Sequence, residues 1–282
     1  MYTTIVEAEV LASHLDNPEW VIIDCRYDLG NVEAGRQAYN VDHIPNAHYA
    51  HLDEDLSSPI GPTTGRHPLP DPELLATRFS AWGITNDVQV IVYDGGPGAF
   101  AARLWWLLKW TGHDKVALLN GGYAAWQTSG YPCNAETPQT SSTTFTLKLN
   151  PDLLVYADLV DQVRLDENFC IVDARAPERF RGDIEPLDKV AGHITGAKNS
   201  SWENNINNTR RFKSESELRQ LFSQTIGDVR PDHVIHSCGS GVTACHNVLA
   251  MEIAGLAGSK LYAGSWSEWI TVPGRAISKG ND

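Results

Sequence analysis

Hydrophobic positions along this chain fall into short strand-like runs and longer helical ones, and the two alternate. VIID at 21–24 and CIVD at 170–173 are apolar, rich in β-branched residues and bounded by polar segments, which predicts buried strands. VIVYD at 90–94 and VIHS at 234–237 predict two more, each leading into a glycine-bearing loop and a long helix. Helix boundaries are equally legible. Asp71 ahead of Pro72 predicts a capped start for ELLATRFSAW, with Gly83 as its stop. Ser214 and Glu217 predict a capping box before LRQLFSQTI, closed by Gly227. Strand and helix alternating in this way predict an α/β fold whose mainly parallel sheet is flanked by helices on both faces.

The pattern occurs twice. WVIIDCR at 20–26 resembles FCIVDAR at 169–175, and HIPNA at 43–47 matches HITGA at 193–197, shifts of 149 and 150. VIVYDGG at 90–96 matches VIHSCGS at 234–240 with a shift of 144, setting Asp94 opposite Cys238. Trp126 falls opposite Trp269, a shift of 143. Four markers in one order at a nearly constant shift indicate a duplication. The drop in shift locates about six extra residues in the first copy, at the Pro- and Gly-rich PIGPTTGRHPLP of 59–70. We therefore expect an N-terminal domain over 1–133, a Ser-, Thr- and Pro-rich linker over 134–147 and a C-terminal domain over 148–282.

Composition narrows the function. The chain has 282 residues and a formal charge of −13, without long blocks of one sign. An acidic surface repels phosphate backbones and anionic lipid, so neither nucleic acid nor membrane is an expected partner. No apolar run approaches the ~20 residues needed to cross a bilayer, and the N-terminus lacks the basic start of a secretory signal. A cytoplasmic monomer is the expectation. Five cysteines, at 25, 133, 170, 238 and 245, form no C-x-x-C pair and are too sparse for a disulfide framework. The chemical question becomes whether one of them is a reactive thiolate.

Cys238 is the candidate. It ends a strand and opens the turn CGSGVT before a helix, and strand ends of open α/β sheets present functional groups at the carboxyl edge. Gly239 and Gly241 let the backbone curl several N–H groups toward one point, and the following helix adds its positive end. Such a collar favours thiolate and has room for the outer sulfur of a persulfide. Cys25, Cys170 and Cys245 read as core residues, and Cys133 as part of the linker. Asp94 cannot form a persulfide, so the first domain is expected to be catalytically silent. Asp24 with Arg26 and Asp173 with Arg175 recur in both copies, which suits loop-fixing ion pairs.

These motifs resemble the tandem rhodanese family over nearly the whole chain. CGSGVTA at 238–244 is similar to the loop of 3-mercaptopyruvate sulfurtransferases, whereas YDGGPGAFAARLWW at 93–106 and TGRHPLP at 64–70 resemble the inactive first domain of bacterial rhodaneses, including thiosulfate enzymes. The resemblance implies two rhodanese-like domains, the second one catalytic. It implies Cys238 and Ser240 as catalytic residues, with Arg179 and the loop residues Gly239, Ser240, Gly241, Val242 and Thr243 receiving the donor. Where mercaptopyruvate enzymes carry a second arginine in an E-P-R segment, this chain has Glu185-Pro186-Leu187; Lys189 is the nearest replacement charge, unless it is a solvated surface lysine. A Ser–His–Asp relay proposed for the family would use Ser240 and His43, although Val32 beside Glu33 stands where its aspartate is usually found, and His43 also suits a local hydrogen-bonding role.

The implied mechanism is a ping-pong transfer in the cleft between the domains, without metal or organic cofactor. Cys238 takes sulfur from 3-mercaptopyruvate, or alternatively from thiosulfate, and a thiol such as thioredoxin, or cyanide, removes it. A cysteine phosphatase would need an arginine six positions after the nucleophile, where Ala244 stands. A non-catalytic regulatory or scaffold module is the rival from another class.

Overall fold

The computed structural model describes residues 1–139 and 141–281; Thr140, within the expected linker, and Asp282 lie outside the described residues. The chain forms two compact units that are not contiguous halves. The first comprises Met1–Ser58, Leu69–Asn150 and Asn208–Phe212; the second comprises Pro59–Pro68, Pro151–Asn207 and Lys213–Asp282.

The first unit is built on strands β1 (Ile5–Val6), β2 (Trp20–Asp24), β3 (Ala47–Tyr49), β4 (Gln89–Tyr93) and β5 (Val116–Leu119). They form one sheet in the order β1-β5-β4-β2-β3, with every pair parallel. The sheet is flanked on both faces by helices α1 (Ala8–Ala12), α2 (Ala34–Val41), α3 (Pro72–Ala81), α4 (Ala101–Trp110) and α5 (Gly122–Thr128). Strand β4 is buried along its whole length, as a continuous apolar run in a parallel sheet should be. Asp71 caps α3 by accepting from the N–H groups of Glu73 and Leu74, and Gly83 beyond its end has φ +78°.

The second unit repeats the plan with β6 (Leu154–Val155), β7 (Cys170–Asp173), β8 (His193–Ile194), β9 (Lys198–Asn199), β10 (Val234–Ser237), β11 (Lys260–Tyr262) and β12 (Ile277–Ser278). Five of them form a parallel sheet in the order β6-β11-β10-β7-β9, and β8 pairs antiparallel with β12. Helices α6 (Ala157–Val163), α7 (Pro177–Arg181), α8 (Glu215–Ile226), α9 (Thr243–Ile253) and α10 (Ser265–Trp269) flank the main sheet. The capping box of Ser214 and Glu217 is present at the start of α8. Trp126 and Trp269 are each fully buried in the core of their own unit, which explains why both copies keep a large apolar residue there.

Two segments behave otherwise than repetition alone suggests. The stretch read as a linker is laid along the first unit: Asn134 and His43 exchange backbone hydrogen bonds, Thr143 N–H donates to Ser80 O at 3.0 Å, and Phe145 is buried against Phe79. The Pro- and Gly-rich insert belongs to the second unit over Pro59–Pro68. Among the described residues, no helix is long and apolar enough to cross a membrane.

Candidate active site

Strand β10 delivers Cys238 to the carboxyl edge of the second sheet, and the chain then turns sharply into α9. Gly241 makes the turn with φ +76°; a Cβ on it would lie 2.1 Å from the Ala263 carbonyl oxygen, so only glycine fits. Gly241 N–H donates to Cys238 Sγ at 3.2 Å. Val242 is the N-cap of α9, no side chain caps the helix, and the Cys245 N–H donates to Val242 O at 3.1 Å. The thiol is more enclosed than a strand-end position suggested, with the residue 1% exposed. The reason lies in the next strand connection. Trp266 N–H donates to Cys238 O at 3.0 Å, Ser267 N–H donates to Gly239 O at 2.9 Å, and Ser265 Oγ accepts from Cys238 N–H at 3.0 Å. Ser265 adopts φ 53°, a conformation costly for a residue with a side chain, and its hydroxyl is thereby aimed at both the Cys238 amide and, 2.9 Å away, Tyr262 O.

The enclosure is polar. A Cβ on Gly239 would sit 2.8 Å from Arg66 Nη2 and 3.6 Å from both Nη atoms of Arg179, so two guanidinium groups converge on the residue after Cys238. Arg66 is bonded to Asp188, and Arg179 Nη2 donates to Glu185 Oε1 at 2.7 Å and approaches Asp188 Oδ2 at 3.4 Å. Arg179 Nε is buried with no hydrogen-bond partner among the described residues. Burial opposes the charge on Glu185. The Arg179 hydrogen bond and charge, with the N–H groups of Leu187 and Asp188, outweigh it and hold the carboxyl below its ordinary range. Ser240 Oγ lies 2.7 Å from His67 Nδ1.

The residues expected from sequence are thus partly brought together. Cys238, Gly239, Ser240, Gly241, Val242 and Thr243 form the turn into α9, and Arg179, on α7, reaches Gly239. His43 is held locally within the first unit. Its Nδ1 lies 2.8 Å from Tyr39 O and its ring stacks on Tyr39 at 3.9 Å. His193, at the matching place of the second copy, repeats both contacts with Phe180, at 2.8 and 3.7 Å. A contact made identically in both copies is a fold requirement, and the histidine at Ser240 is His67. Lys189 is exposed, and the second guanidinium at Gly239 comes from Arg66 instead. Arg66 and His67 stand in TGRHPLP, which the sequence offered as part of an insert and as a likeness to an inactive first domain, with no chemical role. The signal that could have flagged them is that a reactive second copy lacks this segment while the silent first copy keeps it.

Of the other cysteines, Cys25, Cys170 and Cys245 are built into the core and Cys133 is half-buried. Burial pushes the Cys25 and Cys170 thiols up, away from the thiolate, with Asp24 and Asp94 adding to the effect at Cys25. Cys245 is fully buried, its thiol 3.3 Å from Gly241 O. The Asp24–Arg26 and Asp173–Arg175 pairs form as expected, both at 2.7 Å.

Two parallel-sheet units of one plan, one carrying a cysteine in an amide-lined turn and the other an aspartate, define a duplicated fold with one thiol centre. The rhodanese-like domain family matches residues 7–129 and 156–271, and the chain belongs to that family. It is 44% identical over 279 residues to a "Probable 3-mercaptopyruvate sulfurtransferase" of Pseudomonas aeruginosa, covering 98% of both chains. It is 32% identical over 295 residues to the thiosulfate sulfurtransferase of Cricetulus griseus, covering 99% of this chain and 97% of that one. The crystal structure of a 3-mercaptopyruvate sulfotransferase from Escherichia coli superposes with a TM-score of 0.82 at 34% identity, over 94% of this chain and all of the other. The protein is a sulfurtransferase, and its chemistry is sulfur transfer on small molecules.

Proposed function

We propose that the enzyme takes sulfur from 3-mercaptopyruvate onto Cys238 as a persulfide and passes it to a thiol such as reduced thioredoxin, or to cyanide in vitro. The observation that carries this reading is the Gly241 N–H on Cys238 Sγ at 3.2 Å, in a turn overlain by Arg66 and Arg179. The donor carboxylate meets the guanidinium pair, including the unsatisfied Arg179 Nε. The Cys238 thiolate attacks the donor sulfur; an S–S bond forms, the C–S bond breaks, and its electron pair leaves as the enolate of pyruvate. The donor's thiol proton ends on the enolate carbon, so the products are pyruvate and Cys238–S–S⁻. Ser240, bonded to His67, is the hydroxyl in reach to donate a hydrogen bond to the enolate oxygen as charge develops. A thiolate acceptor then attacks the outer sulfur and restores the Cys238 thiolate. Five free thiols suit a reducing compartment, and the cytoplasm is the setting this reading implies.

Thiosulfate is the second donor to weigh, because two guanidinium groups suit a dianion. Comparing kcat/KM for the two donors on one preparation decides between them; a preference for thiosulfate overturns the donor and leaves the persulfide intact. Intact-mass measurement after donor treatment without acceptor tests the persulfide itself. The wild type is expected to gain one sulfur atom and Cys238→Ser none. A wild type that never gains sulfur favours a non-catalytic module.

A further inference from the structure

We propose that Asp188 sets which donor anion the enzyme accepts, because its carboxylate occupies the guanidinium pair that the donor's anionic end must reach. The inference rests on the reading of Arg66 and Arg179 as the donor's anchor. Asp188 bridges them, bonding Arg66 through Oδ1 and lying 3.4 Å from Arg179 through Oδ2, with its side chain only 4% exposed. The neighbouring acid is held differently. Glu185 Oε1 accepts from Arg179 at 2.7 Å and from the amides of Leu187 and Asp188 at 3.0 and 3.1 Å, while Oε2 faces Arg175 at 3.4 Å. Two main-chain amides pin Glu185 to its own turn. The side chain of Asp188 is held by guanidinium groups, so it is the carboxylate that can exchange with an incoming anion.

Charge then decides selectivity. Arg175 is balanced by Asp173, and Arg66 and Arg179 are balanced by Asp188 and Glu185. Leaving aside the reacting thiolate, which is common to every variant, this set of side chains has no net charge; it accepts a monoanionic carboxylate by exchange but gains little extra from a second negative charge. Removing the charge of Asp188 makes the surroundings of Gly239 one unit more positive than in the wild type, which rewards a dianion more than a monoanion. Of its neighbours in sequence, Leu187 is uncharged and Lys189 is an exposed charge that every variant keeps.

The test is the ratio of kcat/KM for thiosulfate to that for 3-mercaptopyruvate in wild type, Asp188→Asn and Asp188→Glu. Asp188→Asn is expected to raise the ratio about tenfold, mainly through a lower KM for thiosulfate. The gain should shrink as ionic strength rises. Asp188→Glu keeps the charge and is expected to stay within about threefold of the wild-type ratio. Equal loss for both donors in Asp188→Asn, or the same tenfold rise in Asp188→Glu, overturns the proposal and makes Asp188 a strut. Should Asp188→Asn fail to fold, Asp188→Ser removes the same charge and takes its place, with the same rise expected and an unchanged ratio overturning the proposal. Donor-dependent sulfur gain by mass is read on the same proteins. Loss of that gain in the wild type refutes the persulfide reading itself, whereas an unchanged donor ratio with normal sulfur gain refutes only the role of Asp188.

Discussion

The loops that follow β4 and β10 are the same device given two different occupants. In the first unit Asp94 fills its loop with its own carboxylate: Oδ1 accepts from the amides of Gly96 and Gly98 at 2.9 and 3.1 Å, and Oδ2 from those of Phe100 and Ala101 at 2.9 and 3.3 Å. In the second unit Cys238 engages one amide, that of Gly241, and the helix start beyond it is uncapped. The first loop demonstrates that this turn gathers main-chain N–H groups around a negative charge. The second keeps the turn and sets a thiol sulfur where the first has a carboxylate. The connection after the next strand differs in the same sense. Gly122 takes φ +58° beneath Asp94, where a Cβ would lie 2.5 Å from the Asp94 carbonyl; Ser265 takes φ 53° beneath Cys238 and spends its hydroxyl on the Cys238 amide. One unit is arranged for stability at this corner, and the other for chemistry.

Exchanging the two occupants separates those roles. Cys238→Ser is expected to lower turnover by at least about 10⁴-fold, since no other group in the loop can carry sulfur, while changing thermal stability little. Steady-state assay beside a thermal melt reads both, and residual turnover within tenfold of wild type would refute the assignment. Asp94→Ala is expected to do the reverse. Four amide donors lose their acceptor at a residue 3% exposed, which should cost about 3 kcal/mol by denaturant titration, with the activity of the folded protein preserved.

A third contrast concerns the strands beneath the loops. Val92 of β4 stands where β10 has His236, whose ring is fully buried, with Nδ1 lacking a hydrogen-bond partner among the described residues and Nε2 3.1 Å from Met251 Sδ. Desolvation lowers its pKa from 6.5 to about 3. Between those values the unfolded chain binds a proton that the folded protein refuses. This part of the stability is therefore whole above pH 6.5 and is lost as pH falls through the window, by about 1.4 kcal/mol per unit. His236→Val is expected to remove about 2 kcal/mol of the stability difference between pH 7 and pH 5; an unchanged difference would mean that the ring accepts a proton in the folded state.

The smallest expected effect is at Ser265. Ser265→Gly gives the second unit the residue found in the first and relieves the left-handed backbone, so stability should move by less than about 1 kcal/mol. Losing the hydroxyl frees the Cys238 amide, and kcat should fall about tenfold. Unchanged kcat would restrict Ser265 to a backbone role.

What the chain disclosed by inspection was whatever depends on neighbours in sequence. The caps at Asp71 and Ser214, the strand ending at Cys238 and the glycine turn after it are local, and the duplication made Asp94 conspicuous. Arg66 and His67 escaped because repetition assigns residues 59–70 to the first copy, whereas Pro59–Pro68 packs in the second unit. Of the two roles open to His43, the local one agrees with its contacts, since its twin His193 makes the same ring stack and carbonyl contact. The role of Ser265 is set by a positive φ that no sequence pattern announces.

The most direct trial of the shared-loop account is a crystal structure of the enzyme after stoichiometric donor and before acceptor. The account predicts one additional sulfur on Cys238 Sγ, within about 3.5 Å of main-chain N–H groups between Ser240 and Thr243, as the Asp94 carboxylate lies among its own. Additional sulfur on another cysteine, or on Cys238 but turned away from those amides, would contradict it.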